Sequence, residues 1–183
     1  MEIASSSIAV HVLLALGSNL GDRIGYLRAA TAAIVEREYL DRIRCSPIYE
    51  SAPLGYSEQP DFLNCCIAGT TSLPPAQLHS CLKALEVELG RQPRPRWHQR
   101  EIDVDIILYG DLVLRTSELE IPHPRALERA FVLLPARAIA SDWIFPGTGR
   151  TIGELAATVK AEPPLRQIEE RLFPPTIALN SSD

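Results

Sequence analysis

The chain has 183 residues, 46% of them hydrophobic and 22% charged, a balance that suits one globular domain with a real core and excludes a disordered or collagen-like chain. A net charge of −5 excludes a molecule built over its whole surface to coat nucleic acid. Apart from Lys83 and Lys160, all 18 basic residues are arginine, so where the arginines cluster is more informative than how many there are.

Residues 8–16 form the first apolar run. It is too short to cross a bilayer, contains His11 and lacks a basic flank, so it reads as a buried strand of a cytoplasmic protein rather than a leader. Gly17-Ser18-Asn19-Leu20-Gly21-Asp22 is a tight connection in which Asn19 or Asp22 caps a helix over 23–39, with Leu27, Ala30, Ile34 and Val35 as its apolar stripe. Residues 42–50 are strand-like but interrupted by Pro47, which suggests an edge or a bulge. Pro53, Gly55 and Pro60 make 51–61 a loop.

The next strand covers 62–71, with Phe62, Asn64 and Cys66 on one face and Leu63, Cys65 and Ile67 on the other. Ser72, Pro74 and Pro75 open a helix that Gly90 ends, with Leu78, Leu82, Leu85 and Leu89 as its stripe. Cys45, Cys65, Cys66 and Cys81 lack C-x-x-C spacing and read as small apolar residues in a reducing compartment.

An arginine-rich loop over 91–100 leads into a strand over 102–108, and Gly110-Asp111 turns the chain. Residues 112–121 suit a strand or hairpin arm, and Pro122-His123-Pro124 breaks it. A helix is expected over 130–140, distorted by Pro135 unless that residue lies near its first turn. Thr151 and Glu154 have capping-box spacing for one more helix. The boundaries are then a single domain over 1–160 and a proline-containing tail over 161–183, expected to be poorly ordered.

This order, strand-helix-strand-strand-helix-strand, is that of an α+β, ferredoxin-like βαββαβ core with a C-terminal helical extension. Helices are expected on one face of an antiparallel sheet, leaving the other free for a site. Such a fold does not by itself specify chemistry.

The chemistry lies around Asp103 and Asp105. Alternation along a strand puts both carboxylates on one face, about 6.5–7 Å apart at the backbone. Like charges flanked by Ile102, Val104 and Ile106 repel and are expensive to desolvate, which favours a cation between them. Hard anionic oxygens suit Mg²⁺. Just upstream, Arg91, Arg94, Arg96 and Arg100, stiffened by Pro93 and Pro95 and not neutralised by any acid within the loop, suit a polyanion. Trp97 in that stretch suits a lid over a planar ligand. Phe62 and Asn64 combine an aromatic platform with an amide that matches the edge of a flat heterocycle, and Phe131 could close the stack. If Arg129 and Phe131 both line one pocket, 123–131 must be loop. A plain solvated loop or ordinary core packing would account for several of these residues singly. A nucleic-acid-binding module or a non-catalytic nucleotide-binding domain is the alternative for the whole, opposed by the net charge and by the carboxylate pair.

These segments together resemble the 6-hydroxymethyl-7,8-dihydropterin pyrophosphokinase (HPPK) family of folate biosynthesis. The matching stretches are Ala15 through Asp22, Ser51 through Gly55, Gln59 through Asn64, Glu86 through Arg91, Arg96-Trp97, Arg100, Asp103 through Gly110, and Pro122-His123-Pro124 through Phe131, in unbroken order. The resemblance implies transfer of diphosphate from the co-substrate ATP to the pterin hydroxymethyl group, with release of AMP. It implies two Mg²⁺ ions on Asp103 and Asp105, with Arg91 and Arg100 completing the catalytic set. The pterin would meet Ser51, Pro53, Leu54, Phe62, Asn64, Trp97 and Phe131. ATP would meet Glu86, Arg91, Arg100, Ile106, His123 and Arg129. The implied partners are ATP, a reduced pterin and neighbouring folate-pathway enzymes, with no nucleic acid and no membrane. His98-Gln99 stand where the family often has Gly-Pro, Pro124 stands where some members have Tyr, and Lys83 stands at a position of a nucleotide-contacting Gln and is given no role.

Overall fold

The computed structural model describes residues 9–53, 55, 58–95 and 98–173. Leu54 and Trp97, both expected at the site, lie outside the described residues, as do Arg96 and residues 174–183.

The core elements are β1 (Val10–Ser18), α1 (Arg23–Glu36), β2 (Asp41–Cys45), β3 (Tyr49–Ser51), β4 (Phe62–Thr71), α2 (Pro75–Glu88) and β5 (Asp103–Tyr109). Two short strands, β6 (Leu114–Arg115) and β7 (Glu120–Ile121), pair with each other and lead to a 3₁₀ turn at Ala126–Glu128 and to α3 (Ala130–Ala140). A further small hairpin, β8 (Ile144–Phe145) and β9 (Arg150–Thr151), precedes α4 (Ile152–Thr158), and β10 (Arg166–Gln167) closes the series.

The main sheet runs β10-β3-β4-β1-β5, with β2 also on β4, and its pairs are antiparallel. This is the ferredoxin-like arrangement. The strand expected over 42–50 is two strands on the same neighbour, because the chain breaks at Ser46-Pro47 and proline brings no ladder donor.

Asp22 caps α1 by accepting from the Gly25 amide at 2.9 Å, and Pro75 opens α2, where no amide donor is needed. Gly90, at φ +94°, ends the α2 segment in a conformation that glycine adopts without strain. Leu27, Ile34, Leu78, Leu82 and Leu85 from these helices pack on Val12, Leu14, Leu16, Leu63, Cys65 and Val104. Each such leucine contributes about 1.5–3 kcal/mol by leaving water.

The second face is not wholly free, which corrects the expectation of helices on one face alone. Val132, Leu133, Ala136 and Ala140 of α3, with Ile152 and Ala156 of α4, cover Leu13, Cys66, Ala68 and Ile107. Strands apolar on both faces need cover on both. Pro135 lies inside α3 beyond its first turn and is buried. The end of this face that carries Gly17, Asn64 and Asp103 lies beyond that cover and lines a cavity.

Residues 161–173, expected as the start of a loose tail, run back along the sheet. Arg166 and Gln167 pair with Glu50 and Tyr49, the Ile168 amide donates to the Ile48 carbonyl at 3.0 Å, and Leu172 is buried in the helical-side core.

Candidate active site

Strand register assembles the open end of the sheet. Gly17 of β1 pairs with Asn64 of β4 on one side and with Asp103 of β5 on the other. One step along, Ala15 pairs with Cys66 and Asp105. Small residues on the middle strand leave a depression between the amide and the carboxylates. It opens into a cavity of about 250 Å³ whose lining includes Phe62, Asn64, Arg100, Asp103, Arg129 and Phe131.

Phe62 and Phe131 both face this cavity. Asn64 is 5% exposed, and its Nδ2 donates to Ser51 Oγ at 2.9 Å, which fixes the amide. Ala52 lines the cavity next to Ser51, and Pro53 follows half-buried. Arg129 caps α3 with extended backbone (φ −104°, ψ 99°). That departure from helical geometry lets Arg129 and Phe131 share the cavity although the helix begins at Ala130, earlier than a loop through 131 would allow. The Arg129 guanidinium stands 5.6 Å over the Phe131 ring and 3.4 Å from His123 Nε2. Its Nε is buried without a hydrogen-bond partner among the described residues.

Asp103 and Asp105 both project to the cavity, with side chains 35% and 32% exposed. Each already holds a cation. Arg91 Nη1 lies 2.7 Å from Asp103 Oδ1, and Lys83 Nζ lies 3.2 Å from Asp105 Oδ1. Both cations also reach Glu86: Lys83 at 2.7 Å, and Arg91 in a close ion pair. Glu86 is 1% exposed and accepts from the Val104 amide at 2.7 Å. It therefore braces β5 and the two cations from beneath. Ile106 likewise turns its side chain into the helical-side core, as alternation on β5 requires, although the residue borders a second cavity.

Electrostatics separates the two aspartates. Burial and the Asp105 charge raise Asp103 to about 6, against Lys83 and Arg91. Burial pushes Asp105 up as well, but Lys83, His123 and Arg129 outweigh it and hold Asp105 below the usual carboxylate range. Lys83 is raised despite burial, because Asp105 and Glu86 favour the ammonium. Burial lowers His123, with Asp105 opposing and Arg129 adding to the shift.

The second cavity, also about 250 Å³, lies beyond Asp105 and is bordered by His79, Ser117, Glu118, His123 and Pro124. Asp105 lines both cavities. Among the described residues no three or more His, Cys, Asp or Glu side chains are grouped to hold a metal ion. A pair of carboxylates facing open space nonetheless fits Mg²⁺, which commonly takes one or two carboxylates and completes its shell with water and substrate phosphates.

Two residues matter more than their sequence suggested. Asn19, one of two candidate caps, is buried and ties three segments together. It accepts from the Arg100 amide at 2.7 Å and donates to Gln59 and to the Pro60 carbonyl, each at 3.0 Å. Lys83 had no assigned role; its spacing to Glu86 was legible, but its approach to Asp105 exists only once α2 packs on β5. Arg94 turns away from ligand duty to Glu101, at 2.7 and 2.6 Å.

The family model of 7,8-dihydro-6-hydroxymethylpterin-pyrophosphokinase matches residues 13–141. A 2-amino-4-hydroxy-6-hydroxymethyldihydropteridine pyrophosphokinase of Aquifex aeolicus is 42% identical over 135 residues, spanning 74% of this chain and 83% of that protein. The enzyme of the same name from Bacillus subtilis is 43% identical over 126 residues, 69% of this chain and 75% of its own. Among solved structures, Plasmodium falciparum HPPK-DHPS superposes with a TM-score of 0.65 at 15% identity, covering 86% of this chain and 47% of that one, a likeness of fold.

Proposed function

The chain belongs to the 7,8-dihydro-6-hydroxymethylpterin-pyrophosphokinase family, and from this membership we propose that it transfers the terminal diphosphate of ATP to the hydroxymethyl group of 6-hydroxymethyl-7,8-dihydropterin, releasing AMP, in folate synthesis. The observation that carries the reading is the position of Asp105 between two cavities, one aromatic and amide-lined, the other bordered by His123. Two substrates seated on either side of one carboxylate pair can react in line across it.

In this reading the pterin ring lies between Phe62 and Phe131, with its edge against Asn64, and Ser51 keeps the amide turned correctly. Pro53 belongs to the pterin side, and Leu54 and Trp97, which lie outside the described residues, keep the pterin-contact role that the resemblance implies. Arg91, Arg100, His123 and Arg129 contact phosphates. Glu86 supports the nucleotide indirectly, by holding Arg91 and the backbone at Val104, and Ile106 does so through the wall of the second cavity. Asp103 and Asp105 would hold two Mg²⁺ ions, which would neutralise phosphate charge and polarise the phosphorus–oxygen bond under attack. The remaining work of these side chains is positioning and electrostatic stabilisation. The partnership of this domain with DHPS in the Plasmodium protein supports an association with a neighbouring folate-pathway enzyme. Among the described residues no helix is long and apolar enough to cross a membrane. The −5 charge and the aspartate pair disfavour nucleic acid as an alternative occupant.

The test is incubation with ATP, Mg²⁺ and the pterin while nucleotide products are followed. AMP formed only when pterin is present supports the assignment, whereas ADP, or AMP formed equally without pterin, overturns it. Asp103→Ala and Asp105→Ala should each cut turnover by orders of magnitude in folded protein.

A further inference from the structure

Lys83 and Arg91 sit on the carboxylates that the metal reading needs, and they differ in what holds them. Arg91 is pinned from below by Glu86 and opens the arginine-rich loop. Lys83 rises from α2 with its side chain 33% exposed and its ammonium shared among Asp105, Glu86 and the Val104 carbonyl. One helical turn earlier on the same face stands His79, which borders the second cavity. A flexible four-carbon stem with a compact charge at its tip can move between these partners.

Glu86, Asp103 and Asp105 set against Lys83, Arg91 and the nearby Arg129 leave the cluster without net charge. A divalent cation entering alone makes it strongly positive and has to compete with the ammonium for Asp105. Arriving with a triphosphate, it brings its own compensation, and the displaced ammonium acquires an anion on the side of the second cavity. The presence of Lys83 therefore penalises bare metal and favours metal that comes with nucleotide.

We propose that Lys83 is an exchangeable counter-ion of Asp105 that makes divalent-metal loading depend on a bound polyphosphate. The inference rests on the metal reading of Asp103 and Asp105 given above. Lys83 acts through Asp105 and is a positioning residue. Coupling of this kind is reciprocal: whatever factor nucleotide adds to metal affinity, metal adds to nucleotide affinity.

The experiment measures Mn²⁺ binding to the full chain by electron paramagnetic resonance, with and without a non-hydrolysable ATP analogue, for the wild type, Lys83→Gln, Lys83→Arg and Asp105→Asn. In Lys83→Gln, nucleotide-free Mn²⁺ affinity should rise about tenfold, as removal of a neighbouring like charge predicts, and the enhancement by nucleotide should shrink correspondingly. Lys83→Arg, which keeps the charge, should stay near wild type. A purely structural role for Lys83 would lower metal affinity, not raise it. A rise below threefold, no change or a fall in Lys83→Gln overturns the counter-ion inference. If Asp105→Asn leaves Mn²⁺ binding with nucleotide unchanged, the metal assignment itself fails, and the two failures are told apart.

Discussion

Gly17 and Asn64 stand opposite each other at the open end of the sheet, and a methyl group on Gly17 would lie 3.2 Å from Asn64 Oδ1. Asn64 is already held on its other side by Ser51. The amide therefore has little room to yield, and the bare backbone of Gly17 is what leaves it in place.

Gly17→Ala should weaken pterin binding about tenfold or more while changing the affinity for an ATP analogue much less, since the strain falls on the ring-edge contact. Calorimetric titration with each ligand checks this. Equal losses for both ligands would place the disturbance in the sheet as a whole and remove Asn64 from its role as reader of the pterin edge.

The strands, the two long helices and their order could be read in the chain because period and punctuation agreed: Leu78, Leu82 and Leu85 repeat at helical spacing between Pro75 and Gly90, and Asp103 and Asp105 alternate with buried apolar residues. What escaped were relationships across elements. That α3 and α4 cover part of the second face depends on Cys66, Ala68 and Ile107 being buried there, and a short apolar strand does not reveal whether one or both faces are covered. Lys83 meets Asp105 through helix-on-sheet packing, 22 residues apart in the chain. Leu172 follows two prolines and a polar stretch and so reads as part of a frayed tail, yet it is buried, and β10 in the same segment pairs with β3.

Asp103 carries a cost in stability. Its folded value of about 6 stands above the ordinary 3.8, so between those values the native state holds more protons than the unfolded chain. Stability contributed by this group is then present at low pH and declines as pH rises from about 4 to about 6. In metal-free buffer, Asp103→Asn should flatten that decline while abolishing turnover. Chemical denaturation at a series of pH values measures it; an unchanged profile in the variant would show that Asp103 is not the group responsible.

Glu101 works in the opposite direction. Its hydrogen bonds from Arg94, outweighing burial, bring it down from 4.5 to about 2. Its stabilising contribution is complete above the unfolded value and is lost as pH falls from about 4.5 towards 2. Because Glu101 also accepts from the Gln92 amide at 3.3 Å, this pair holds the base of the arginine loop. Glu101→Gln should therefore be less stable than wild type at neutral pH and converge with it near pH 2. Parallel unfolding curves at both pH values would contradict the pairing.

Leu172 tests whether the domain ends near residue 160 or later. It is 3% exposed within the helical-side core, where truncation of a leucine to alanine removes about 2–5 kcal/mol. At roughly 2–4 °C per kcal/mol for a chain of this size, Leu172→Ala should lower the melting temperature by several degrees or more. The neighbouring exposed change Glu170→Ala should do almost nothing. Because β10 pairs with β3, which leads directly to Ser51, loosening this segment should also loosen the wall behind Asn64. Pterin affinity should fall modestly in Leu172→Ala under conditions where the variant is still fully folded. A variant as stable as wild type would return the segment to the status of a dispensable tail.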